Sequence, residues 1–410
     1  MQLEKNQISS KLDIVILSLI VLQVISVSIS IALSSIAFGA WIILWGFQAV
    51  VYRRDAFKGS IWREIKPVAL FMAFYAIFEI LSRVFAIYPE GALLGVKRVL
   101  IFLIFFAVIY KVPDKKTLHF IIFVLVCMTS FISIYELIKF AILAPEAIPQ
   151  KGGFSETRID YLLYPLSGAE IKLMVLMSIF PLFFIKERFF VELKYLILLS
   201  IPIVVSMYLT QSRNVFLSFI ICLIIFGIIK SPKYLLIGAA AAVLVFFLLP
   251  VEFTERYTSI FSTSHGSNAG RLVMWETGWR MFLDHPFTGI GDNKIMDYYA
   301  TYRDSMTEWE HSHLHSNIFM VLATTGIFGF LSFLGLFLTI FIKQIKFYKQ
   351  VTNETDKALI MGSILMFIAF NISGIFEWSF GDHEVITVFF FLVSVPFVIF
   401  KLMPKKVNTN

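Results

Sequence analysis

Apolar residues come in long uninterrupted runs along this chain, separated by short polar breaks. A run of about 17–25 apolar residues is the length that an α-helix needs to cross the hydrocarbon of a bilayer. Twelve runs meet that description: 13–33, 36–52, 67–87, 92–110, 118–140, 165–185, 191–209, 214–229, 233–250, 317–342, 358–376 and 386–402. Backbone polar groups in lipid must be satisfied within the segment, so each run predicts a helix. The pattern therefore predicts an all-α polytopic membrane protein of about 12 transmembrane helices. One break is unlike the others. Residues 251–316 form a long polar segment in which Gly270-Arg271-Leu-Val-Met-Trp275-Glu-Thr-Gly-Trp279 repeats apolar positions at helical spacing. The turn Pro286-Phe-Thr-Gly289-Ile-Gly291 ends that helix. One or two short helices lying on the membrane surface are expected there. The chain accordingly divides into an N-terminal bundle (1–250, about nine spans), the loop (251–316) and a C-terminal bundle (317–410, about three spans).

Composition agrees: 58% of residues are hydrophobic and 15% charged, against about 25% charged in soluble domains. Loop charge sets the orientation. With the N-terminus in the cytoplasm, 22 of the 35 Lys and Arg fall on that side, and the bias alternates along the chain. Both termini are thus expected in the cytoplasm, with the long loop on the outer face. The net charge of +7 sits in short interhelical loops and is no nucleic-acid footprint. Cys127 and Cys222 lie inside apolar runs, where thiols act as small hydrophobes. The first run is too long for a signal-peptide core and is read as a retained helix.

The chemistry-bearing residues gather on the predicted outer face. His311-Ser-His313-Leu-His315-Ser-Asn317 closes the long loop. Capping of the next helix accounts for Ser316 or Asn317 but not for the histidines. An HxH pair is compatible with metal ligation, with Glu308 and Glu310 nearby. General base chemistry is preferred, because a neutral imidazole takes a proton readily near pH 7. Arg213, in the tight turn Thr210-Gln-Ser-Arg213, and Arg271 either snorkel into solvent or pair phosphate oxygens. Arg280 reads the same way. Between the last two runs, Glu377, Asp382, His383 and Glu384 fall within eight residues, either as a solvated turn or as partners for a histidine or arginine. Asp382, Glu384 and Asn317 are placed as supports. Charges inside the runs are costly and paired or functional by default. Glu79 and Arg83, four apart, read as an ion pair, while Lys97, Arg98, Lys139, Glu170 and Lys172 line the outer ends of their spans.

Read together, these pieces resemble the superfamily of bacterial O-antigen ligases and O-antigen polymerases, closest to the ligases. The matching motifs are Leu209-Thr-Gln-Ser-Arg213; Gly270-Arg271 through Trp275 leading to His285-Pro286-Phe-Thr-Gly289-Ile-Gly291; and His313-Leu-His315-Ser-Asn317 followed by Thr325-Gly326-Ile-Phe-Gly329. The turn Gly381-Asp382-His-Glu384 resembles a fourth. They cover the central and C-terminal half. One departure is Ser316, where the family carries Asn directly after the second histidine; here Asn317 comes one place later. The resemblance implies a metal- and cofactor-independent, inverting glycosyltransferase in the inner membrane, with its active site at the periplasmic face. Its donor would be a glycan on undecaprenyl diphosphate, taken up with membrane lipid around the carrier. Its acceptor would be a sugar hydroxyl of lipid A-core or, for a polymerase, another lipid-linked glycan. Arg213 and Arg271, with Arg280 as a further contact, would hold the diphosphate. His315, helped or replaced by His313, would be the base. A transporter is the competing class, and the missing pairing of halves and the one-sided loop count against it.

Overall fold

The computed structural model describes residues 2–52, 61–90, 92–151, 153–154, 157–187, 189–231, 233, 266–292, 295–302 and 313–404. Its elements are helical throughout these residues. In chain order they are α1 (Gln2–Ser26), α2 (Ile31–Val51), α3 (Trp62–Val84), a 3-10 segment Ala92–Phe102, α4 (Leu103–Lys111), α5 (Lys115–Gln150), α6 (Pro165–Ile179), α7 (Leu193–Leu209), α8 (Arg213–Lys230), α9 (Gly266–Asp284), α10 (Ile295–Tyr302), α11 (Asn317–Gln350), α12 (Glu354–Ser373) and α13 (His383–Lys401).

Nine helices among the described residues are long and apolar enough to span a membrane. They coincide with nine of the twelve predicted runs. Of the other three, 191–209 is the 17-residue apolar helix α7, and 233–250 lies almost wholly outside the described residues. Run 92–110 is built as 3-10 turns and then the nine-residue α4. Apolar content is blind to that change of winding. The first boundary also moves. The run 13–33 ends early, at Ser26, because Ser30 opens α2 by accepting the Leu33 amide at 3.2 Å. Among the described residues the long loop contains two helices, α9 and α10. His311, Glu308, Glu310 and His265 lie outside the described residues.

Helices α6, α12 and α13 are the most enclosed, and their apolar side chains form one continuous core with those of α3, α4 and α11. The two ends of this bundle differ chemically. At one end lysines tie loops together: Lys343 and Lys346 grip Glu64 at 2.8 and 2.6 Å, and Lys401 donates to the carbonyls of Ile109 and Val112. At the other end meet the C-termini of α3, α5, α7 and α12 and the N-termini of α6, α8, α11 and α13.

One interlock fixes this second end. Helix α11 breaks at Gly326 (φ 64°, ψ −168°), a conformation that only glycine adopts cheaply. The break frees carbonyls in the preceding turn, and the turn after α9 takes them: Ile290 donates to Ala323 O at 2.9 Å and Gly291 to Thr324 O at 3.1 Å. In return Ile327 donates to Pro286 O at 2.8 Å. A Cβ on Gly289 would lie 2.3 Å from the Thr324 backbone, so the two chains touch without side chains between them. The glycines of both motifs are therefore one joint. Asp292, just past it, is gripped by Arg83 at 2.9 Å and also by Arg98, and Arg83 pairs with Glu79 at 2.6 Å as the i, i+4 spacing predicts. The loop is thereby anchored to α3.

Candidate active site

The site grows from the N-terminus of α11. Ser316 occupies the N-cap in extended conformation, yet its hydroxyl is buried and makes no hydrogen bond among the described residues. Asn317 does the bridging. Its amide donates to Gly374 O at 2.7 Å and its Oδ1 accepts the Phe380 amide at 2.9 Å. Gly374 packs so closely on the Asn317 side chain that a Cβ there would clash. The turn between α12 and α13 is thus held against the histidine segment by Asn317.

That turn delivers Glu377. Both its carboxylate oxygens lie 3.0 Å from His315 Nδ1, and His313 Nε2 is 3.5 Å from Oε1. The two imidazole centroids are 4.3 Å apart, and the His315 amide donates to His313 Nδ1 at 3.2 Å. His315 takes a positive φ of 46°, a strained bend that turns its ring toward the carboxylate. Burial pushes the Glu377 carboxyl up, but the hydrogen bond and charge of His315, then the charge of His313, outweigh it. The group is held below the usual carboxylate range.

An ionised carboxylate only accepts, so His315 Nδ1 carries the proton and the ring lone pair sits on Nε2. His313 is the reverse. Its Nδ1 accepts a backbone amide, so in the neutral ring the proton is on Nε2, toward Glu377. His313, His315 and Glu377 offer three ligand atoms within 4.8 Å of one another, an arrangement able to hold a metal ion. The hydrogen bonds account for the same arrangement without one.

Arg271 reaches the same turn, donating from Nε to Phe376 O at 3.1 Å, one residue before Glu377. Burial, and less strongly the like charge of Arg158, push its guanidinium below its ordinary value, against the pull of Glu377. Three residues earlier on α9, Asn268 Oδ1 accepts from Arg213 at 3.2 Å. Positions three apart share a helix face, so Arg271 and the residue that meets Arg213 lie on one face of α9. Trp275, on that face, stacks on Phe319 with centroids 5.4 Å apart and donates to His315 O at 3.4 Å.

The remaining predicted residues lie elsewhere. Arg280 is nine residues past Arg271, half a turn out of phase, and forms an exposed pair with Glu276. The structure does not bring it to the other arginines. Asp382 accepts from Ser167 at 2.6 Å rather than meeting a histidine, and burial pushes it up to about 6. Glu384 sits in the first turn of α13, half-buried and beyond Asp382. The carboxylate that meets the histidines is Glu377. It belongs to the acidic turn that the sequence singles out, but spacing alone does not choose among its three carboxylates. Lys172 and Glu136 pair inside the bundle at 2.7 Å, and Ser206 donates to the same carboxylate.

Comparison with known proteins bears on this arrangement. Residues 171–334 match the O-antigen ligase family model. The family domain so defined contains the Arg213 turn, Arg271, the glycine joint and both histidines, as the motifs anticipate. The chain is also 23% identical over 368 residues to the teichuronic acid biosynthesis protein TuaE of Bacillus subtilis (strain 168), covering 82% of this chain and 71% of that protein. Together these make the chain similar to membrane proteins of the O-antigen ligase/polymerase type over the stretch that carries the site.

Proposed function

We propose that this protein transfers a glycan from undecaprenyl diphosphate to a sugar hydroxyl, with inversion and without a metal or cofactor. The observation that carries the reading is the meeting of base and clamp on one turn: Phe376 O receives Arg271, and the Glu377 side chain receives His315. In the reaction His315 Nε2 takes the proton of the acceptor hydroxyl. The oxygen attacks the anomeric carbon from the face opposite the diphosphate, and the glycosyl–oxygen bond breaks with its electrons passing to the diphosphate. Glu377 stabilises the imidazolium that forms, and Arg213 and Arg271 take up the charge of the leaving group. A diphosphate leaves as an anion, so no general acid is needed.

The lysine-rich end of the bundle supports a cytoplasmic location for that end. The site then faces outward in a bundle of about twelve spans, with both termini in the cytoplasm of a bacterial inner membrane and the active site periplasmic. The family description favours a ligase, for which the proposed acceptor is lipid A-core. The relative named for teichuronic acid biosynthesis favours the second reading, a polymerase joining lipid-linked units. A deletion strain separates the two. A ligase deletion leaves long carrier-linked glycan and none on lipopolysaccharide. A polymerase deletion leaves only single units transferred.

A further inference from the structure

The acidic turn that carries Glu377 is gripped from two helices. From α11, Asn317 holds Gly374 and Phe380. From α6 come Ser167, which donates to Asp382 at 2.6 Å, and Glu170, whose Oε2 accepts the Ser379 hydroxyl. Ser379 stands two residues past Glu377. Trp378, the residue between them, donates its amide to Glu377 Oε1 at 3.1 Å. The backbone that aims Glu377 at His315 thus runs directly onto the contact with Glu170.

Glu170 is costly where it stands. It belongs to a segment of membrane-spanning character and is 1% exposed, so it lines no outward opening. Its second oxygen, Oε1, is buried without a hydrogen-bond partner. The nearest lysine in sequence, Lys172, is taken by Glu136 at 2.7 Å. A buried carboxyl that makes one hydrogen bond weakens a fold, and an apolar side chain of similar size would pack there without that cost. An ionisable residue kept inside a span on such terms marks a function. We propose that Glu170 is a positioning residue: through Ser379 it fixes the turn so that the Glu377 carboxylate meets His315 Nδ1. This rests on the reading of His315 as the base. Glu170 touches neither donor nor acceptor, so its effect belongs to the rate of transfer and not to donor binding.

The test follows transfer and thermal melting of the full-length protein in nanodiscs. The double variant Glu170→Leu/Ser379→Ala removes both partners of the contact and strands neither, so it should melt at or above the wild-type temperature. Its kcat should nevertheless fall by about 10–10²-fold, with donor KM within about threefold of wild type. A residue that merely held the fold together would lower melting and rate in step. Ser379→Ala alone should lose as much as the double variant, because both lack the same contact. Glu170→Gln keeps an oxygen for Ser379 and should recover most of the loss. Three results overturn the assignment: a double variant that transfers within about threefold of wild type, one that melts well below it, or a Glu170→Gln protein no faster than the double variant. Glu377→Gln is the control for the base reading. If Glu377→Gln also transfers at the wild-type rate, that reading falls and the inference with it. If Glu377→Gln is slow while the double variant is not, only the assignment of Glu170 falls.

Discussion

Replacing Glu377 by Gln removes one charge and leaves nearly the same shape. In the structure Glu377 is 4% exposed and both its oxygens lie 3.0 Å from His315 Nδ1. When His315 takes the acceptor's proton, a positive ring faces a negative carboxylate with charge centres about 4 Å apart. At the effective dielectric of about 20 that suits protein sites, this attraction is worth about 4 kcal/mol. At 1.4 kcal/mol per decade, transfer should slow by roughly 10³-fold. The loss belongs to kcat, because the neutral ground state gains little from the charge. Undecaprenyl diphosphate binding should change little, since Arg271 bonds to the neighbouring carbonyl of Phe376 and not to the Glu377 side chain. The assay is transfer from extracted lipid-linked glycan in proteoliposomes, with binding measured in parallel. A folded Glu377→Gln protein working within tenfold of wild type refutes the reasoning, as does an equal loss in Asp382→Asn.

Three further outcomes are expected. Gly326→Ala places a Cβ 2.5 Å from Phe287 O at a conformation reserved for glycine, so it should cost about 2–5 kcal/mol and lower the melting temperature in detergent by several degrees. Dialysis against EDTA should leave transfer unchanged, because the His313–His315–Glu377 contacts are satisfied by protons; loss of activity restored by Zn²⁺ would reassign those three residues as metal ligands. Asp382 stands at about 6 against an ordinary 3.8, so the fold favours its protonated form. That contribution is full below pH 3.8 and is lost as pH rises through 6. Wild type should therefore lose up to about 3 kcal/mol relative to Asp382→Asn between pH 4 and 7, read from paired melting curves.

The helical spans were legible because lipid imposes one rule on every spanning segment: bury the backbone and show apolar side chains. Where that rule is loose the sequence carries less. The 3-10 winding of Ala92–Phe102 is invisible to hydropathy, and the break at Gly326 hides inside one unbroken apolar run. In the site, local order spoke clearly for residues close in sequence. His313 and His315 announce themselves as a pair, and Asn317 as a neighbour. Glu377 sits 62 residues beyond His315, and the bonds between Asn317 and the α12–α13 turn help to bring the two together. Asp382 and Glu384 look equivalent in sequence because nothing local tells which acid faces the histidines. Helical phase alone separates Arg280 from Arg271, and that was readable from the spacing of nine.

The central claim is that His315 removes the acceptor's proton while the arginines hold the diphosphate. Transfer by His315→Ala, measured beside its binding of undecaprenyl diphosphate, tests it most directly. The account predicts transfer reduced by about 10²–10⁴-fold with binding intact. Transfer at near wild-type rate in a folded His315→Ala protein would contradict it.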